Sequence, residues 1–192
     1  MKIKTSKLSR GFTLVELLVV IAIIASLAAL SSPIIIRGLS KVKVARAKTV
    51  CAAFEVAVDS FENDYNYLPF EDSAPTSDNR TPMRSDDDIM DVLCGVEDQV
   101  NFKEKRFFEY SEAKGGPGNY IDGLYLTDSQ AELYDPWGEP YYIYMDYDLD
   151  GEIINPTDAN KTVNGRNVII ISAGADKKAG TRKKDRDNAS NF

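Results

Sequence analysis

Arg10-Gly11-Phe12-Thr13-Leu14-Val15-Glu16-Leu17-Leu18-Val19-Val20, continued by apolar residues to Ile36, is the stretch that decides how this chain is built. A short basic leader (Lys2, Lys4, Lys7, Arg10) ends at Gly11, and between Leu14 and Leu30 the only charge is Glu16. About 20 apolar residues cross the ~30 Å of bilayer hydrocarbon, so the segment from Phe12 to Ile36 is long enough to span. A carboxylate inside such a run is costly and calls for a partner. The plainer reading, a secretory signal peptide cleaved near Ala25–Ala29, leaves Gly11, Phe12 and Glu16 together without a reason.

Outward from Pro33 the pattern stays helical but becomes one-sided. Val44, Ala47, Cys51, Phe54, Val58, Phe61, Tyr65 and Leu68 alternate in steps of three and four, which predicts a single apolar stripe running to Pro69. Lys43, Arg46, Lys48, Glu55, Asp59 and Glu62 are expected on the opposite face. Pro33 removes an i−4 hydrogen bond and should bend the rod.

The rest reads as a small head. Residues 70–85 are polar and proline-bearing, hence loop. Ser85 before Asp86-Asp87-Asp88 resembles an N-cap followed by acids, predicting a short helix to about Leu93 that stops near Gly95. A short strand is expected around Arg106–Tyr110, and Gly115-Gly116-Pro117-Gly118 breaks the chain. Asp135–Pro140 is a turn, Tyr141–Met145 a strand, Asp146–Gly151 a second turn, and Glu152–Ile154 and Asn167–Ser172 are strands. These strands suggest an antiparallel sheet packed on the amphipathic half of the helix.

Composition narrows the chemistry. The chain has 192 residues, no histidine and a net charge of −7. Removing the leader leaves 19 basic residues against 30 acidic, a net of −11. So acidic a surface disfavours nucleic acid, whose binding depends on neutralising phosphates. Without histidine, G-x-S-x-G or a glycine-rich phosphate loop, the sequence points away from an enzyme. Basic residues flank both sides of the apolar run, so charge does not set its orientation. Cys51 and Cys94 could pair in an oxidising space or pack as small buried hydrophobes; spacing decides neither.

Gly11-Phe12-Thr13-Leu14-Val15-Glu16 resembles the prepilin-peptidase motif of type IV pilins and type II secretion pseudopilins. The resemblance implies cleavage after Gly11, N-methylation of Phe12, a glutamate fifth in the mature chain (Glu16) and a proline twenty-second (Pro33). Leu133–Tyr141 resembles the Asp-Pro-Trp-Gly-x-Pro-Tyr segment of the major pseudopilin, and Ser172–Asp176 resembles the strand end that opens its calcium loop. Residues 70–130 form a longer insertion than that pattern has.

The family implies an α+β, pilin-like fold. It divides the chain into a leader (1–11), a transmembrane and assembly half-helix (12–36), an amphipathic half-helix (37–68), a loop-rich insertion with a short helix (69–130), and a sheet with a charged C-terminal loop (131–192). It also implies a single-pass inner-membrane subunit with a periplasmic head. Its expected partners are copies of itself in a helical filament, other pseudopilins, an inner-membrane assembly platform and prepilin peptidase. A type IV pilus subunit, for adhesion, motility or DNA uptake, is the alternative.

The resemblance also implies a calcium site, carried by Asp176, Asp185 and Asp187. Lysines and arginines crowd that loop, so a charged tail competes with this assignment. A second set, Asp146, Asp148 and Asp150, opens like an EF-hand loop, D-x-D-x-D-G, but has Thr157 at the twelfth position. A polar hairpin turn is the preferred reading there.

Overall fold

The computed structural model describes residues 11–70, 82–96, 99–178 and 188–192, without the side chains of residues 30–37. It divides into two compact units, Met1–Ser40 and Lys41–Phe192. Helix α1 (Leu14–Tyr65) belongs to both.

In the first unit α1 begins with a capping box. Thr13 Oγ1 accepts the N–H of Glu16 at 3.2 Å, and Glu16 Oε2 accepts the N–H of Thr13 at 2.8 Å and its hydroxyl at 2.7 Å. Two otherwise orphaned helix-end donors are thereby satisfied. From Phe12 to Leu27 the large apolar side chains are exposed, Leu14 by 79% and Val20, the least, by 43%. Among the described residues no helix is long and apolar enough to cross a membrane. Residues 14–29 would cover only about 24 Å at 1.5 Å per residue, and the apolar run passes into residues 30–37. The expected span is therefore not shown. Position 33 lies within the continuous helix, while the bend expected of Pro33 turns on a side chain outside the described residues.

The second unit carries the core. The predicted stripe is where that core sits: Ala47, Cys51, Phe54, Val58 and Phe61 are fully buried, Tyr65 and Leu68 nearly so, and Val44 packs against them. The predicted charged face needs correction. Directly opposite the stripe lie exposed Val42, Ala45, Thr49, Ala52 and Val56, and the acids sit on its flank. Glu55 pairs with Arg166, and the Asn167 amide donates to Asp59 (3.2 Å) and Glu62 (2.5 Å). That flank is thus turned toward the head's last long strand instead of solvent.

Strands β1 (Met83–Arg84), β4 (Tyr142–Met145), β7 (Val168–Ser172) and β8 (Ala189–Ser190) form one antiparallel sheet in the order β1-β4-β7-β8. Strands β2 (Gly123–Leu126) and β3 (Ala131–Tyr134) pair separately, as do β5 (Glu152–Ile154) and β6 (Thr162–Asn164). The fold is α+β, as expected, but with three small sheets among the described residues. Asp146–Gly151 is not a hairpin, because β4 and β5 belong to different sheets.

Helix α2 (Ile89–Cys94) ends at Gly95, whose φ of +72° suits a left-handed cap. A Cβ there would come within 2.8 Å of the Glu104 carbonyl oxygen. Ser85 is not its N-cap. It is fully buried, donates to the Leu133 carbonyl at 2.5 Å and accepts the Tyr141 N–H at 2.8 Å, joining β3 to the edge of β4. No strand forms at Arg106–Tyr110; Phe107 and Phe108 instead donate their N–H groups to Leu93. The expected insertion is part of the core, supplying Met90, Leu93, Phe108 and Leu124. Buried Asn101 ties these pieces to α1. Its carbonyl accepts the Tyr65 hydroxyl at 2.6 Å, and its amide donates to Val92 and Lys105 carbonyls, both at 2.7 Å.

Candidate functional site

At the N-terminus the residues that matter are adjacent. Gly11, Phe12 and Thr13 precede the helix, and Glu16 lies in its first turn. Phe12 is 77% exposed. Glu16 is thus held at the helix start by Thr13, and Gly11 and Phe12 stand exposed ahead of it. The sequence signal for this box is Thr-x-x-Glu, Thr13 to Glu16, just before the apolar run.

In the head, the Asp135–Pro140 turn is built on one carboxylate. Asp135 is fully buried; its Oδ1 accepts the N–H of Trp137 at 2.8 Å and of Glu139 at 3.0 Å, and its Oδ2 accepts the Ser172 hydroxyl at 2.6 Å. One side chain therefore fixes the turn and locks it to the end of β7. Burial pushes the Asp135 carboxyl above the usual range, against those hydrogen bonds. The Asp135–Pro140 segment therefore serves the fold directly.

A carboxyl raised by folding holds its proton more tightly in the folded chain, so stability falls as pH rises from the ordinary Asp value of ~3.9 through the raised one. Asp135→Asn is expected to flatten that slope and keep the fold. Burial raises Asp146 as well, so some slope persists. Asp135→Ala strands one buried donor, the Ser172 hydroxyl, and two part-buried ones, and is expected to cost about 3 kcal/mol in denaturant unfolding, judged by ~1–3 kcal/mol for a fully buried orphaned group and less for the others.

The two acid sets separate. Of the first, Asp185 and Asp187 lie outside the described residues. Asp176 is exposed and its Oδ1 accepts the Lys178 N–H at 3.0 Å. The structure gathers the second set: one carboxylate oxygen from each of Asp146, Asp148 and Asp150 lies within 4.8 Å of the others. Asp146, 3% exposed, accepts the N–H of Asp150 at 3.1 Å and of Gly151 at 2.8 Å. The donors are hard oxygens of the kind calcium takes. The same oxygens also close an Asx-type turn with Gly151 at φ +83°, which needs no ion.

Cys51 and Cys94 are both free and buried. The thiol of Cys51 donates to the Ala189 carbonyl at 3.7 Å and that of Cys94 to the Phe108 carbonyl at 3.9 Å. The pairing entertained from sequence is not made; each sulfur packs into its own part of the core. Burial pushes both thiols up to about 12. Alkylation of the native chain at pH 8 is expected to modify neither, and both should react after denaturation.

The family model for the prokaryotic N-terminal methylation motif matches residues 6–32. No curated protein and no solved structure matches the chain. The match covers the leader motif and the start of α1, and it supports a type IV pilin-like chain. Such a chain in general is processed by prepilin peptidase and assembles into filaments.

Proposed function

We propose that this chain is the structural subunit of a periplasmic pseudopilus, of the type II secretion major-pseudopilin kind. In this reading it is cleaved after Gly11, methylated at Phe12, anchored by residues 12–36 and assembled through them. The observation that carries it is the methylation motif at the head of one helix whose later turns hold the head's core. An exposed apolar helix of this kind is stable in lipid or against sister helices, and not in water. In the filament, Glu16 is buried and pairs with the methylated amine of a neighbouring Phe12.

The Asp135–Tyr141 turn and the Ser172–Asp176 strand end favour secretion over a type IV pilus, whose subunit is the second reading. Deleting the gene tests the choice. Loss of protein secretion with surface pili and twitching intact supports the pseudopilus; the converse supports the pilus.

Calcium belongs to the same proposal, with Asp176, Asp185 and Asp187 as one candidate set and Asp146, Asp148 and Asp150 as the other. A site specific to the native state raises the melting temperature with free ion. A rise at millimolar calcium, reversed by chelator and removed by Asp146→Asn or Asp185→Asn, assigns the set. No rise excludes both.

A further inference from the structure

The head holds an open groove of about 590 Å³ lined by residues of the 106–117 segment, Tyr120 and β2. Its walls carry Arg106, Glu109, Tyr110, Glu112, Tyr120 and Tyr125. Tyr120 and Tyr125 stack with ring centroids 4.4 Å apart, forming a continuous aromatic wall. Glu109 and Glu112 are exposed, and neither is in an ion pair among the described residues. Arg106, the one cation lining the groove among the described residues, donates its Nε–H to the Cys94 carbonyl at 3.4 Å. Aromatic faces beside unpaired carboxylates suit Lys and Arg side chains, which gain from ring quadrupoles and charge together. The volume is that of an ordinary ligand cleft.

The chain itself has a segment of matching chemistry. Between residues 178 and 187 stand Lys178, Arg182, Lys183, Lys184 and Arg186 against only Asp185 and Asp187. Lys177, just before them, already pairs with Glu139 of its own head at 2.7 Å. We propose that the tyrosine-and-glutamate groove of one copy receives the basic segment 178–187 of a second copy. Groove on one subunit and basic segment on the next make a heterologous contact, the kind that repeats into an open helical array. It rests on the filament reading above and adds a head-to-head-domain contact to assembly through the apolar helix.

Cysteine cross-linking between copies tests it, with full-length chains co-expressed under tags of different size. One copy carries Glu109→Cys and the other Lys183→Cys, and the native thiols are buried and silent. A mixed-tag link between positions 109 and 183 is expected in membrane and filament fractions. Adding Glu112→Lys to the first copy should weaken it roughly tenfold, and Lys184→Glu in the second should restore it. Filaments without the link overturn the contact and leave the filament reading standing. A link without filaments overturns the filament reading instead. A single chain carrying both substitutions that links only to itself also overturns the contact between copies.

Discussion

Glu16→Gln is expected to insert and fold normally yet lower filament yield roughly a hundredfold or more, the scale set by leaving a buried charge without its partner. Glutamine is the one substitution that separates two roles of this side chain. It still offers an oxygen to the Thr13 N–H and hydroxyl, so the capping box at the start of α1 survives. It cannot neutralise a neighbouring Phe12 amine. Thr13→Ala does the reverse, weakening the box and keeping the carboxylate, and should lower yield only a fewfold. Sheared-filament yield, measured beside membrane content, reads both. If Glu16→Gln assembles like wild type, capping is the whole role of Glu16.

Phe61→Ala is expected to destabilise the head by about 3–5 kcal/mol, the usual range for deleting a fully buried aromatic ring. Phe61 stacks on Tyr65 with centroids 4.4 Å apart, and the edges of Phe107 (5.2 Å) and Tyr67 (5.7 Å) close round it. Neighbours from α1 and from the 102–108 segment meet there, so the cavity would open between the helix and that segment. A loss of that size consumes much of the ~5–15 kcal/mol by which domains are stable. Proteolysis of the head should accelerate, and assembly should fail through instability. A melting shift of only a degree or two would show that Phe61 does not anchor the core.

The sequence shows most of what local periodicity governs. Steps of three and four from Val44 to Leu68 named the buried face of α1, and Gly95 named the end of α2, because a helix face and a left-handed cap are local properties. What it concealed depends on distant partners. Ser85 looks like a helix cap, but Tyr141 and Leu133, far along the chain, bury it as a strand link. Strand β8 has two residues, and nothing in Ala189-Ser190 alone marks it; pairing with β7 creates it.

Asp122 carried no signal beyond the turn-forming Asp122-Gly123, yet it joins Arg46 at 2.6 Å and Lys114 at 2.5 Å. At the acidic sites, carboxylate spacing suggested two sets. Folding gathered Asp146, Asp148 and Asp150, while Asp185 and Asp187 lie outside the described residues. The Thr13–Glu16 box was legible all along, and the apolar run around it drew attention to the charge alone.

The central claim concerns the first residues, and the mature N-terminus tests it most directly. Mass spectrometry of the chain isolated from membranes of its own host should find residues 1–11 gone and the chain beginning with N-methylated Phe12. A chain still beginning at Met1, or one cut near Ala25–Ala29, would contradict it.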